Sequence, residues 1–181
     1  MSHSLSHPPG GGFLSRPDSR LDSRVVDLAR LLELFRALER EGVEYVLVGG
    51  VAVNFHGLSR ATQDVDLFVR PTRENVERLK AALQAVFADV CIDEISADDL
   101  MGEYPTIRYV PPNDPFVVDL LGRLGLAVRY EDLSFQEHLI EGVRVRLATP
   151  ATLYHMKKDT VRPIDRADAQ ALRLRFNLRD D

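Results

Sequence analysis

The sequence predicts an α/β fold of the α+β kind, a mixed, partly antiparallel sheet flanked by helices. Three observations predict it. Two long segments, around residues 25–38 and 72–87, repeat apolar residues at helical spacing. Short apolar runs bounded by glycine and proline, such as "VEYVLVGG" and "FVVDLL", read as strands. Two pairs of such runs flank "PPNDP" and Glu141–Gly142, which makes each pair an antiparallel hairpin.

Taken in order, "MSHSLSHPPGGGFLSRPDSR" is too rich in Ser, Pro and Gly to offset its ordering entropy, so residues 1–20 are expected to be a disordered tail. His3 and His7 belong to that tail and are not expected to be ligands. Residues 21–181 are expected to form a single domain. In its first helix Val25, Val26, Leu28, Ala29, Leu32, Phe35 and Leu38 share a face, with Asp22 or Ser23 as cap and Gly42 as stop. "VEYVLVGG" is a buried strand, "VAVNFHG" a two-turn helix stopped by Gly57, and "DVDLFV" a second strand ended by Pro71. The next helix buries Val76, Leu79, Leu83 and Val86 behind a Thr72 cap. "ADVCIDEI" reads as a further short strand, followed by the hairpins "TIRYV"/"FVVDLL" and "QEHLI"/"VRVRLAT". Pro150 after Thr149 opens one more helix, and "DRADAQALRLRF" is the last.

Composition removes several functions. The 181 residues carry 23 basic and 28 acidic side chains, a net charge of −5 that excludes a strongly basic nucleic-acid coat but leaves room for a local basic cleft. One cysteine excludes an internal disulfide and a Cys-rich zinc site, and Cys91 reads as a small apolar filler. No apolar signal region and no run of about 18 apolar residues is present, so a cytoplasmic protein with no membrane partner is expected.

The chemistry concentrates in "VGGVAVNFHGLSRATQDVDLFV". Asp64 and Asp66, two residues apart in a strand, point to one face with roots roughly 7 Å apart. Like charges that close repel unless a cation lies between them or one holds a proton. Mg²⁺ suits such oxygen donors, and a pair of ions roughly 3.5–4 Å apart suits phosphoryl transfer. Asp119, the lone charge in "PFVVDLL", offers a third carboxylate. Gly49 and Gly50, closing a strand and opening a helix, would let a phosphate approach the backbone. The competing reading pairs these carboxylates with arginines in a purely structural sheet, and it predicts no response to metal.

These residues resemble the signature of the DNA polymerase β-type nucleotidyltransferase superfamily, most closely its minimal bacterial branch of abortive-infection and toxin–antitoxin nucleotidyltransferases. Gly49, Gly50, Arg60, Thr62, Asp64 and Asp66 match its Gly-Gly/Ser, Arg-x-Thr and Asp-x-Asp pattern. Asp119 matches its third carboxylate. Lys157 matches a phosphate-facing lysine, and Arg162, Asp165 and Asp168 match the closing motif. The resemblance covers roughly residues 43–172 and implies the nucleotidyltransferase fold. It also implies transfer of a nucleoside monophosphate from an NTP, such as ATP, to an acceptor hydroxyl. Asp64, Asp66 and Asp119 would be the catalytic metal ligands for two Mg²⁺ ions. Gly49, Gly50, Arg60, Thr62 and Lys157 would hold the nucleotide phosphates.

The acceptor stays open between an RNA end such as tRNA, a protein and a small aminoglycoside-like alcohol, and an antitoxin protein is an implied partner. Arg162, Arg166, Arg173, Arg175 and Arg179 form a basic stretch that an RNA acceptor would use, interleaved with acids. The chain departs from the Gly-Ser pair of many active members, since Gly50 supplies no hydroxyl. The alternative to an enzyme is therefore an inactive nucleotidyltransferase-fold binding or regulatory module.

Overall fold

The structure is a computed structural model and describes residues 27–114, 116–125 and 128–179. The expected tail and the Asp22 and Ser23 caps lie outside the described residues. Helix α1 (Leu28–Arg40) is capped instead by Asp27, whose carboxylate accepts from the Ala29 N–H. Gly42 stops it with φ +64°, a left-handed conformation that suits glycine. Strand β1 (Tyr45–Val48) is buried along its whole length, and helix α2 (Gly49–Phe55) follows without a loop, so both glycines belong to the helix start. Strand β2 (Asp64–Val69) and helix α3 (Arg73–Phe87) follow, the helix capped by Thr72 as the sequence predicts.

The segment "ADVCIDEI" corrects the expected strand. Asp89 accepts from the Cys91 N–H and turns Val90–Glu94 into 3-10 helix, which leaves Cys91 exposed and no filler of the core. The short helix α4 (Ala97–Met101), capped by Ser96, had no apolar period long enough to announce it. Strands β3 (Thr106–Tyr109) and β4 (Val117–Leu121) pair antiparallel as expected. A two-residue ribbon, β5 (Arg123–Leu124) with β6 (Val128–Arg129), precedes the hairpin of β7 (Phe135–Ile140) and β8 (Val143–Ala148). Helices α5 (Pro150–Lys157) and α6 (Pro163–Phe176) close the described chain.

Six strands form one sheet in the order β3-β4-β2-β1-β8-β7. β1 runs antiparallel to β2 and parallel to β8, while β2 runs parallel to β4, so the sheet is mixed as expected. α1 packs on α3 and β8, α2 on β1 and β2, and α5 on α6 and α2. Phe35, Leu38, Leu47, Leu67, Leu79, Leu83 and Leu120 are fully buried and fill the core. The sheet order matters for function because it sets β4 directly beside β2.

Candidate active site

The site is built on β2. Val65, Leu67 and Val69 go to the core, which turns Asp64 and Asp66 to the other face. The parallel register sets Asp119 of β4 opposite Asp66. The three carboxylates therefore share one side of two adjacent strands. They line a cleft of about 370 Å³ together with Gly49, Gly50, Arg60, Thr62, Lys157, Arg162 and Asp165. The eight residues expected to hold metal or phosphate all reach this cleft, whereas Asp168 of the closing motif stands behind its lining.

The carboxylates are not comfortable there. Burial pushes the Asp66 carboxyl up to about 6, and the negative charges of Asp119 and Asp64 add to the shift. Burial also raises Asp119, against the attraction of Arg108. Such repulsion is what a divalent cation relieves, and three carboxylates are the hard oxygen donors that Mg²⁺ takes. The side chains are not already gathered into an ion cage: among the described residues no group of three or more His, Cys, Asp or Glu is placed to hold a metal ion. Arg108 of β3 spans the gap instead, 2.9 Å from Asp64 Oδ1 and 3.5 Å from Asp119 Oδ2. This arginine escaped the sequence reading. The hairpin length was the available signal, since it sets Arg108 opposite Asp119.

The glycines make room for Asp66. Gly49 has φ +67°, and a Cβ built on it would stand 1.8 Å from Asp66 Oδ2. The Gly50 N–H donates to the same carboxylate. A Cβ on Gly50 would stand 2.9 Å from Thr62 Oγ1 and 3.0 Å from Arg60 Cζ. A serine has no space at position 50 while these side chains stay put, and the Thr62 hydroxyl fills the region that its side chain would enter. Gly49→Ala is expected to cost about 1–3 kcal/mol through the forced left-handed backbone. It should also expel the Asp66 carboxylate and remove transfer activity. A melting curve and a labelled-NTP assay check this, and an active, fully stable variant would refute it.

The opposite wall is an ion network. Lys157, nearly buried, donates to Asp165 Oδ1 at 2.6 Å and lies 3.0 Å from Asp168 Oδ2. Asp168 also takes Arg60 Nη1 at 2.5 Å. Asp165 and Asp168 thus hold both cations in place, and Arg60 is paired across the fold and not solvated. Asn54 fixes the loop that carries Arg60, accepting from its N–H at 2.8 Å and donating to its carbonyl at 2.9 Å. Sequence reading missed Asn54, because nothing in a two-turn helix marks which polar residue faces its own exit loop. His56 packs structurally: its Nε2 lies 2.8 Å from the Ala148 carbonyl.

The profile of a family described as "Nucleotidyl transferase AbiEii toxin, Type IV TA system" matches residues 30–177. The chain belongs to the AbiEii nucleotidyltransferase toxin family. Its reaction class is accordingly nucleotidyl transfer, and the AbiEii match spans the described domain almost end to end. Among solved structures, ANT(2″)-Ia in complex with adenylyl-2″-tobramycin is similar over 82% of this chain and 88% of its own, with 14% identity and a TM-score of 0.50. At that identity the likeness concerns the fold alone. An antigenic nucleotidyltransferase-like protein from Paracoccidioides brasiliensis aligns over 81% of this chain and 77% of its own, with 16% identity and a TM-score of 0.49. No curated protein sequence matches the chain. No helix among the described residues is long and apolar enough to cross a membrane.

Proposed function

We propose that this AbiEii-family chain moves a nucleoside monophosphate from a Mg²⁺-bound NTP to an acceptor hydroxyl. One observation carries the reading: Asp64, Asp66 and Asp119 share one face of two adjacent strands at the floor of a cleft. Asp64 and Asp66 would hold two ions and Asp119 one of them. When bound, the ions supply positive charge to the triphosphate and lower the cost of ionising the acceptor.

The residues of the chain divide the remaining work. Asp119, raised by burial, suits the proton of the incoming hydroxyl. Thr62 and the Gly49–Gly50 backbone form the wall that a phosphate would meet. Lys157 and Arg60 line the same cleft, each fixed by carboxylates, and would supply the positive charge that a polyphosphate meets. Four acidic and four basic side chains line the cleft, so its own formal charge is balanced. A triphosphate gains no net attraction from such a lining, which is the reason to expect a cation requirement. The acceptor class stays among RNA ends, proteins and small alcohols, and an antitoxin protein is the partner that the family implies.

The bridging arginine favours a second reading, in which the carboxylates serve only the sheet and the chain is a binding or regulatory module. One experiment separates the two. The melting temperature is measured with Mg²⁺ alone, with each NTP alone, and with both. Stabilisation that requires metal and nucleotide together supports the enzyme, and its products are then sought with labelled NTPs against total RNA and cell lysate. No response to any combination overturns the proposed transferase.

A further inference from the structure

Among the cations of the cleft, Arg108 differs in its partners: it pairs with Asp64 and Asp119, two of the carboxylates read as metal ligands. Lys157 and Arg60 keep only 9% and 20% of their side chains exposed, and both are locked against Asp168. Arg108 stands on β3, an edge strand of the sheet, with 58% of its side chain exposed, and bridges Asp64 and Asp119. Ion pairs with so exposed a guanidinium are weak, and the one to Asp119 is long at 3.5 Å, so the guanidinium can leave at small cost. While it stays, it occupies one oxygen of Asp64 and one of Asp119. A divalent cation arriving alone must expel it. A polyphosphate arriving with the cation offers it a new planar, bidentate anion.

We propose that Arg108 is a positioning residue: a displaceable counter-ion that holds Asp64 and Asp119 until an NTP polyphosphate takes its guanidinium, so that divalent cation and nucleotide bind cooperatively. The proposal rests on the reading of these carboxylates as metal ligands. It assigns the bridge a use where the structural reading sees only a stabilising pair. Cooperativity of this sort is reciprocal, and cation and nucleotide must each tighten the other by the same factor. The bridge also offsets the repulsion between Asp64 and Asp119 before substrate arrives, while the Lys157 charge acts on Asp66.

The test measures Mn²⁺ binding by the loss of its free electron-paramagnetic signal, in the full chain, with and without an α,β-methylene analogue of each NTP. Wild type is expected to bind Mn²⁺ weakly alone and more tightly with the analogue. Arg108→Ala is expected to bind Mn²⁺ alone about three- to tenfold more tightly, as the loss of one or two partly exposed pairs implies, and to lose most of the coupling. Arg108→Lys, which keeps the charge without the fork, should restore part of the coupling. Arg108→Gln repeats the test should the alanine variant melt too low. Unchanged or weaker Mn²⁺ binding in Arg108→Ala, where wild type binds the ion, overturns this inference alone. So does wild-type binding of Mn²⁺ that no analogue strengthens. An absence of Mn²⁺ binding in every variant, with and without analogue, overturns the metal-ligand reading and this inference with it.

Discussion

Asp66→Asn is expected to abolish nucleotidyl transfer while making the metal-free protein more stable. The two effects have one cause. Asp66 is pressed against Gly49, receives the Gly50 N–H and faces Asp119 across the strand pair, so its charge is costly. As its carboxyl is raised to about 6 from an ordinary 3.8, ionisation subtracts from stability as pH rises through that interval. Asparagine keeps the shape and removes the charge. In EDTA the variant should gain on the order of 3 kcal/mol above the raised value and nothing below the ordinary one. Loss of a carboxylate proposed to hold the metal should lower turnover by about 10³-fold or more. Chemical denaturation across pH, beside a labelled-NTP assay, measures both. A variant that loses stability at neutral pH would contradict the repulsion argument, and one that keeps activity would contradict the site.

The second large effect is expected from Lys157→Met. Lys157 holds Asp165 at 2.6 Å and Asp168 at 3.0 Å, and all three side chains are nearly buried. Methionine matches the stem but leaves two carboxylates short of a counter-charge. Breaking such a pair from one side costs about 3–5 kcal/mol, because a buried charge is left uncompensated. Arg60 still holds Asp168, and Arg162 lies 3.7 Å from Asp165, so the lower end is expected. The measurement is the urea midpoint at constant slope. Adding Asp165→Asn to Lys157→Met should recover part of the loss, since the second change removes the stranded charge. A loss below about 0.5 kcal/mol would show that solvent screens the network.

Much of the fold was legible because its signals are local. The Thr72 and Thr149 caps, the Gly42 and Gly57 stops and both hairpins follow from residues within a few positions of the feature. The misreadings were local ties between opposing tendencies. "ADVCIDEI" has strand-forming residues, but the Asp89 side chain takes the Cys91 N–H and ends the competition in favour of 3-10 helix. The first helix cap fell on Asp27 because any Asp or Ser at the start of a periodic run is an equally good candidate from sequence.

For the site, the order of residues along the chain already determined the two-residue spacing of Asp64 and Asp66, hence their common face. It also determined that Asp119 would sit in an apolar strand. Only the tertiary structure decided that β4 lies parallel beside β2 with Asp119 against Asp66, that Arg108 bridges the outer pair, and that Asp168 unites Arg60 with Lys157. The physical reason is range. Periodicity and capping act over one or two turns of chain, whereas ion pairs between residues 44 and 108 positions apart depend on which strands and helices meet.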